Sequence, residues 1–222
     1  MRRMSASVST VLALGLLLTA CGGGEEGRQV AQKCDSTLSP EAVKALGSLL
    51  GTEAFRSGGV GLGRITEALI EDQATPGGGP GLPDLCDVTA DGDLRSGVKI
   101  DAVLYGPGDL YDDGTKWQAQ GRHLYAMGRE ASADNKDAHL FVGCSSPRLK
   151  GSDKAPAPLH AMIRFDGRGK GAYPENTPAT REAYLTVLHS VTLAVVRKLG
   201  CENDAGLPEK PVFEAKKWRG ER

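Results

Sequence analysis

The chain has 222 residues, with 27 Lys and Arg against 28 Asp and Glu, for a formal net charge of −1. That balance carries no nucleic-acid footprint. Aromatic residues make up only 5% and there are 30 glycines, so the expected core is aliphatic and modest, with much loop, in one domain of ordinary size.

Arg2 and Arg3 open the chain, and an apolar run follows from Val11 to Leu18. The run suits a secretory signal and falls short of the roughly 20 apolar residues of a spanning helix. Small residues, Thr19 and Ala20, precede Cys21, and the stretch GGGEEG follows it closely. This reads as a signal peptide over residues 1–20 and a flexible, solvated tether over 21–33. Removing Arg2 and Arg3 leaves 25 basic against 28 acidic residues.

Four cysteines remain beyond Cys21: Cys34, Cys86, Cys144 and Cys201. An even count in an exported chain reads as a disulfide framework with three possible pairings. Cys34–Cys86 with Cys144–Cys201 is favoured because it ties each half locally. No C-x₂-C spacing is present, which argues against zinc.

The first expected helix is LSPEAVKALGSLLG. Ser39 is a suitable N-cap, Pro40 fits the first turn and Gly51 can end it. Val43, Leu46, Leu49 and Leu50 share a face. GGVGLGRI (58–65) looks superficially like a phosphate cradle, but no strand is expected before it, so it reads as a helix–helix connection. A second short helix is expected from Gly63 to Asp72, followed by the helix-breaking loop ATPGGGPGLP.

After Cys86 the period changes. GVKIDAVLY alternates, with Val98, Ile100, Ala102 and Leu104 on one side, as in a half-buried strand. RHLYAMG (122–128), AHLFVGC (138–144) and PLHAMIRFD read as further strands, and ASADNKD as a polar turn between the first two. The last element is a long helix, with Thr177 as N-cap, Pro178 in the first turn and Gly200 as its stop. Cys201 follows at once, so a bridge to Cys144 would pin helix to sheet. The sum is α+β: an antiparallel sheet of four to five strands, helices on one face and a long C-terminal helix. The domain is expected over 34–205, with a polar tail over 206–222.

Leu18-Thr19-Ala20-Cys21 resembles the lipobox of bacterial lipoproteins. That resemblance implies a diacylglyceryl group on Cys21 (with palmitate-type acyl chains), which becomes the first residue after cleavage. The pattern as a whole resembles actinobacterial secreted lipoproteins of unknown function. Its carriers are the start Cys34-Asp35-Ser36-Thr37-Leu38-Ser39-Pro40-Glu41, then Leu85-Cys86-Asp87-Val88, then Gly200-Cys201 closing the last helix. These short motifs span most of the chain. They imply a disulfide-stapled α+β domain on the extracytoplasmic face of the cell membrane, and they bring no catalytic residues.

The search for chemistry is mostly negative. There is no G-x-S-x-G, no S-x-x-K of the penicillin-binding type and no H-E-x-x-H. His123, His139 and His160 fall on different expected strands and His189 on the last helix, so surface or boundary roles are expected. DVTADGDL (87–94) and GDLYDDGTKW (108–117) cluster Asp with Gly, but neither has EF-hand spacing, and such residues suit ordinary turns. No metal site is expected, and no cofactor beyond the covalent lipid. Tyr105, Tyr111 and Trp117 gather rings near one loop, a candidate contact surface unless the rings fold back onto the core. The expectation is a lipid-anchored binding or accessory module without catalysis. Its partners would be the membrane and an envelope protein or cell-wall component. An envelope hydrolase and a transporter's solute-binding component are the alternatives.

Overall fold

The computed structural model describes Cys34 and residues 36–75, 82–92, 96–106, 110, 121–167 and 173–218. Residues 1–33, where a signal peptide, Cys21 and a tether are expected, and residues 76–81 of the ATPGGGPGLP loop lie outside these residues. Among them, three α-helices and eight strands are present. In chain order these are α1 (Pro40–Leu50), β1 (Phe55–Gly58), α2 (Gly61–Ala74), β2 (Cys86–Ala90) and β3 (Gly97–Leu104). There follow β4 (His123–Tyr125), β5 (Glu130–Ala133), β6 (Asp137–Cys144), β7 (Ala157–Phe165), α3 (Pro178–Leu199) and β8 (Ala215–Lys216).

The strands form one antiparallel sheet in the order β1-β2-β3-β7-β6-β5-β4-β8. The α+β class therefore stands, but the expected four to five strands become eight. Of the extra strands, β1, β5 and β8 are short and poor in apolar alternation, whereas β2 does alternate, with Cys86, Val88 and Ala90 buried, but over five residues only. β5 takes Ala131 to Ala133 out of the supposed ASADNKD turn. It escaped notice because Glu130 and Ser132 are polar yet almost wholly buried. RHLYAMG is a strand only to Tyr125. The chain then bends over residues 126–129, with Met127 N donating back to Tyr125 O, and Gly128 takes φ +62° with no room for a Cβ against the Phe141 carbonyl.

The helix boundaries follow their caps. The Ser39 hydroxyl accepts from Ala42 N at 3.1 Å, and Gly51 closes α1 in the left-handed region. The Thr177 hydroxyl accepts from Thr180 N at 3.1 Å, and Gly200 closes α3 likewise. α3 packs across β5, β6 and β7, α1 lies against α3, and α2 touches α3 and β3. Ala138, Leu140 and Val142 of β6 with Leu159, Ala161 and Ile163 of β7 supply the sheet side of this core. Leu188, Val191, Val195 and Leu199 are among the helix side. Two disulfides join Cys34 to Cys86 and Cys144 to Cys201, with Cα separations of 5.6 and 5.1 Å. The first ties the entry to α1 to strand β2. The second ties the end of α3 to strand β6.

GGVGLG follows strand β1, so it connects strand to helix rather than helix to helix. Its backbone does not face a ligand: Val60 N donates to Asp84 O and Gly61 N to Leu85 O, each at 3.1 Å. Gly59, at φ +108°, packs so close to the Leu85 carbonyl that a Cβ would lie 2.5 Å from it. Of the first Asp-rich stretch, Asp87 to Ala90 belong to β2 rather than to a loop. After α3 the chain turns sharply, with Asn203, Asp204 and Ala205 all at positive φ. Arg197 holds that turn through Asp204. The chain then runs back as a strap that ends in β8, paired with β4.

Candidate functional site

Strand alternation puts a second set of side chains on the face opposite the helices. Asp137 and His139 of β6 and His160 of β7 meet there in a line. His139 Nε2 lies 2.9 Å from Asp137 Oδ1, and His139 Nδ1 lies 2.9 Å from His160 Nε2. The Arg122 guanidinium, almost fully buried, binds both Asp137 and Asp134, the latter at 2.7 Å. Its other arm donates to Ser132 Oγ at 3.3 Å. Asp134 in turn accepts from Lys136 N and Asp137 N, closing the β5–β6 turn.

Burial favours the neutral carboxyl at Asp137, but the hydrogen bond from His139 and the charge of Arg122 overcome it and hold the group at about 2. Burial, followed by the neighbouring His139, pushes His160 down to about 3. Asp137 is thus an acceptor and His160 is neutral near pH 7. Because the Asp137 carboxylate can only accept, His139 Nε2 carries the hydrogen directed at it. Rings continue the line. His160 stacks on Phe141 at 4.2 Å and 7°, and Phe141 meets Tyr105 edge-on at 5.1 Å and 79°. Further along the same face Asp101 binds Arg164 and Asp84 binds Lys99, at 3.0 and 3.3 Å. Burial and then Asp84 raise the Asp101 carboxyl. At Asp84 burial works upward too, but the hydrogen bonds of Asp101 and Lys99 bring it down.

The depressed His160 value makes an acid-lability prediction. The unfolded chain binds a proton at His160 below about pH 6.5, and the folded chain does not until about pH 3. Stability is therefore complete above pH 6.5 and falls as the pH drops through that window. The His160 contribution alone amounts to about 3 kcal/mol between pH 7 and pH 4. Urea unfolding at pH 7, 5 and 4 should show the decline, and His160→Gln should flatten it. A variant as acid-sensitive as the parent would refute the assignment.

A second feature is a groove of about 780 Å³ on the outer side of α3. Leu38, Leu193, Ala194, Pro211 and Phe213 give it apolar walls, and Glu41, Arg197, Glu209 and Lys210 charge its surroundings. Adjacent residues of α3 hold its two sides. Ser190 Oγ accepts from Ser39 N and donates to Thr37 O, each at 2.8 Å, which fixes the entry to α1. His189 Nε2 sits 2.9 Å from Pro208 O, which fixes the strap. Burial lowers the His189 pKa against the opposing effect of that carbonyl.

Of the ring residues singled out in the sequence, Tyr105 is buried under Phe141 and Arg129 rather than displayed. Tyr111 and Trp117, like Cys21, lie outside the described residues. Of the four histidines, His139 and His160 converge, His123 sits on β4 away from them, and His189 is buried in α3. Arg122, Asp134 and Ser190 gave no sequence signal. The sequence placed His139 and His160 on different expected strands and gave no sign that they meet. Comparison with protein-family models, with curated proteins and with solved structures finds no match to this chain.

Proposed function

We propose that this chain is a lipid-anchored, extracytoplasmic binding or accessory module of a bacterial cell envelope, and that the α3 groove is its docking surface for a protein partner. The groove carries the reading. An apolar floor with a charged rim is the anatomy of a protein contact, and its volume falls in the range of real binding sites. The groove is also bordered by Ser36 to Ser39, which follow directly on the tether. The Cys34–Cys86 bridge supports the anchor reading, because a pull on the tether reaches the sheet through β2 before it can peel α1 away.

The test is a photo-reactive residue placed at Thr186 or Ala194 in the groove, with exposed Lys154 as the control position, in intact source cells. One protein captured from the groove sites, absent from the control site and lost in Cys21→Ser, supports the module. Equal capture at all three sites, or none, removes the groove from the proposal.

A second reading, an envelope hydrolase, is favoured by the Asp137–His139–His160 line. It ranks below the first. A general base works best with a pKa near the operating pH, and His160 is held at about 3. Hydrolysis of an envelope polymer that disappears in both His160→Gln and Asp137→Asn would reverse the order.

A further inference from the structure

We infer that the C-terminal strap from Lys210 to Trp218 is a docking surface for anionic phospholipid headgroups, and that it holds the groove toward the membrane. The inference rests on the membrane-anchored reading and adds an orientation to it.

Charge is divided unevenly along this chain. Residues 207–222 hold five basic and three acidic side chains, whereas 21–206 hold 20 basic and 25 acidic ones. Of the three acidic side chains in 207–222, Glu209 is already bound by Arg197, and Glu214 is the one within the strap itself. Lys210 and Lys217 are exposed, Lys216 lies on β8, and Trp218 is half-buried beside them. Lysines next to a tryptophan at a protein surface match a headgroup layer. The charges meet anionic lipid, and the indole favours the interface between water and hydrocarbon.

Position makes the second argument. Lys210 borders the same groove as Ser36, Leu38 and Ser39, and its charge helps to lower the Glu41 carboxyl, behind the effects of the Glu41 backbone N–H and Ser39. The strap therefore lies beside the point where the tether enters the domain. A tether of 21–33 can stretch about 45 Å, so by itself it sets no orientation. A net-acidic body and a net-basic strap do. An anionic surface repels the one and attracts the other, within a Debye length of about 8 Å in physiological salt. The groove mouth then faces the bilayer, and its partner is a protein at the membrane surface rather than one deep in the wall.

The experiment uses the mature lipidated protein in a Trp117→Phe background, which leaves Trp218 as the one tryptophan. It is reconstituted in brominated phosphatidylcholine vesicles with or without phosphatidylglycerol. Quenching of Trp218 is expected only with phosphatidylglycerol. Lys210→Glu with Lys217→Glu should reduce the docked-to-undocked ratio at least roughly thirtyfold, and added salt should reduce it too. Quenching that ignores lipid charge, or survives both reversals, overturns the inference, as does its absence from vesicles to which the protein is anchored. If the protein does not float with vesicles at all, the anchor reading fails instead. The same Trp218 measurement with added vesicles then decides the docking surface on its own.

Discussion

Arg122→Ala is expected to cost about 3–5 kcal/mol of folding stability, the usual range when one partner of a buried ion pair is removed. The side chain is 5% exposed and bridges Asp134 and Asp137, whose side chains are 11% and 23% exposed. Alanine leaves two carboxylates facing each other across the β5–β6 turn with no cation between them. Asp137 then loses one of the two groups that hold its pKa down. The damage should shrink as the pH falls toward 4, because protonation removes the repulsion. Urea unfolding at pH 7 measures the loss directly. A change below about 1 kcal/mol would mean that the turn is held by Asp134 and its backbone amides alone.

The second large effect concerns the bridge between α3 and the sheet. Cys144→Ala with Cys201→Ala should lower stability by about 4 kcal/mol, from the loop-closure entropy returned to the unfolded chain. The sequence separation is 57 residues. For a domain of this size that corresponds to a fall of about 10 °C in Tm. The parent protein in reductant loses both bridges and should fall further than either double variant. The pair Cys34→Ala with Cys86→Ala closes a similar loop, at a separation of 52. It should cost nearly as much at equilibrium. Near-zero loss for the Cys144–Cys201 pair would show that α3 stays on the sheet through packing alone.

Legibility in the sequence tracked how local the determining physics is. Ser39, Gly51, Thr177 and Gly200 act within one turn of themselves, and both helices they bound were placed from those residues. The cysteines were similarly transparent, since their number and spacing restrict the choices. β1, β5 and β8 were not, because each is made by its neighbours: FRSG, EASA and AK have no period of their own to read. The His139–His160 contact needs the β6–β7 register that pairs Phe141 with His160, and register is a property of two strands together. Arg122 stood at the head of an expected strand with nothing nearby to show that two carboxylates would close around it. The groove was invisible for the same reason. Its walls come from residues 36–41, 186–197 and 209–213, which only folding brings together.

The two ends of the sheet have a consequence for crowding. One terminal strand, β1, has four residues, and the other, β8, has two, one of them Lys216. An unpaired strand is a template for the next chain, and brevity and lysine are the means by which proteins spoil it. The strap thus finishes the ladder that β4 would otherwise offer to a neighbour, and leaves too few amides to begin another. An edge-to-edge encounter between two copies therefore finds few free backbone amides to pair with. This sheet is built so that such encounters end in separation.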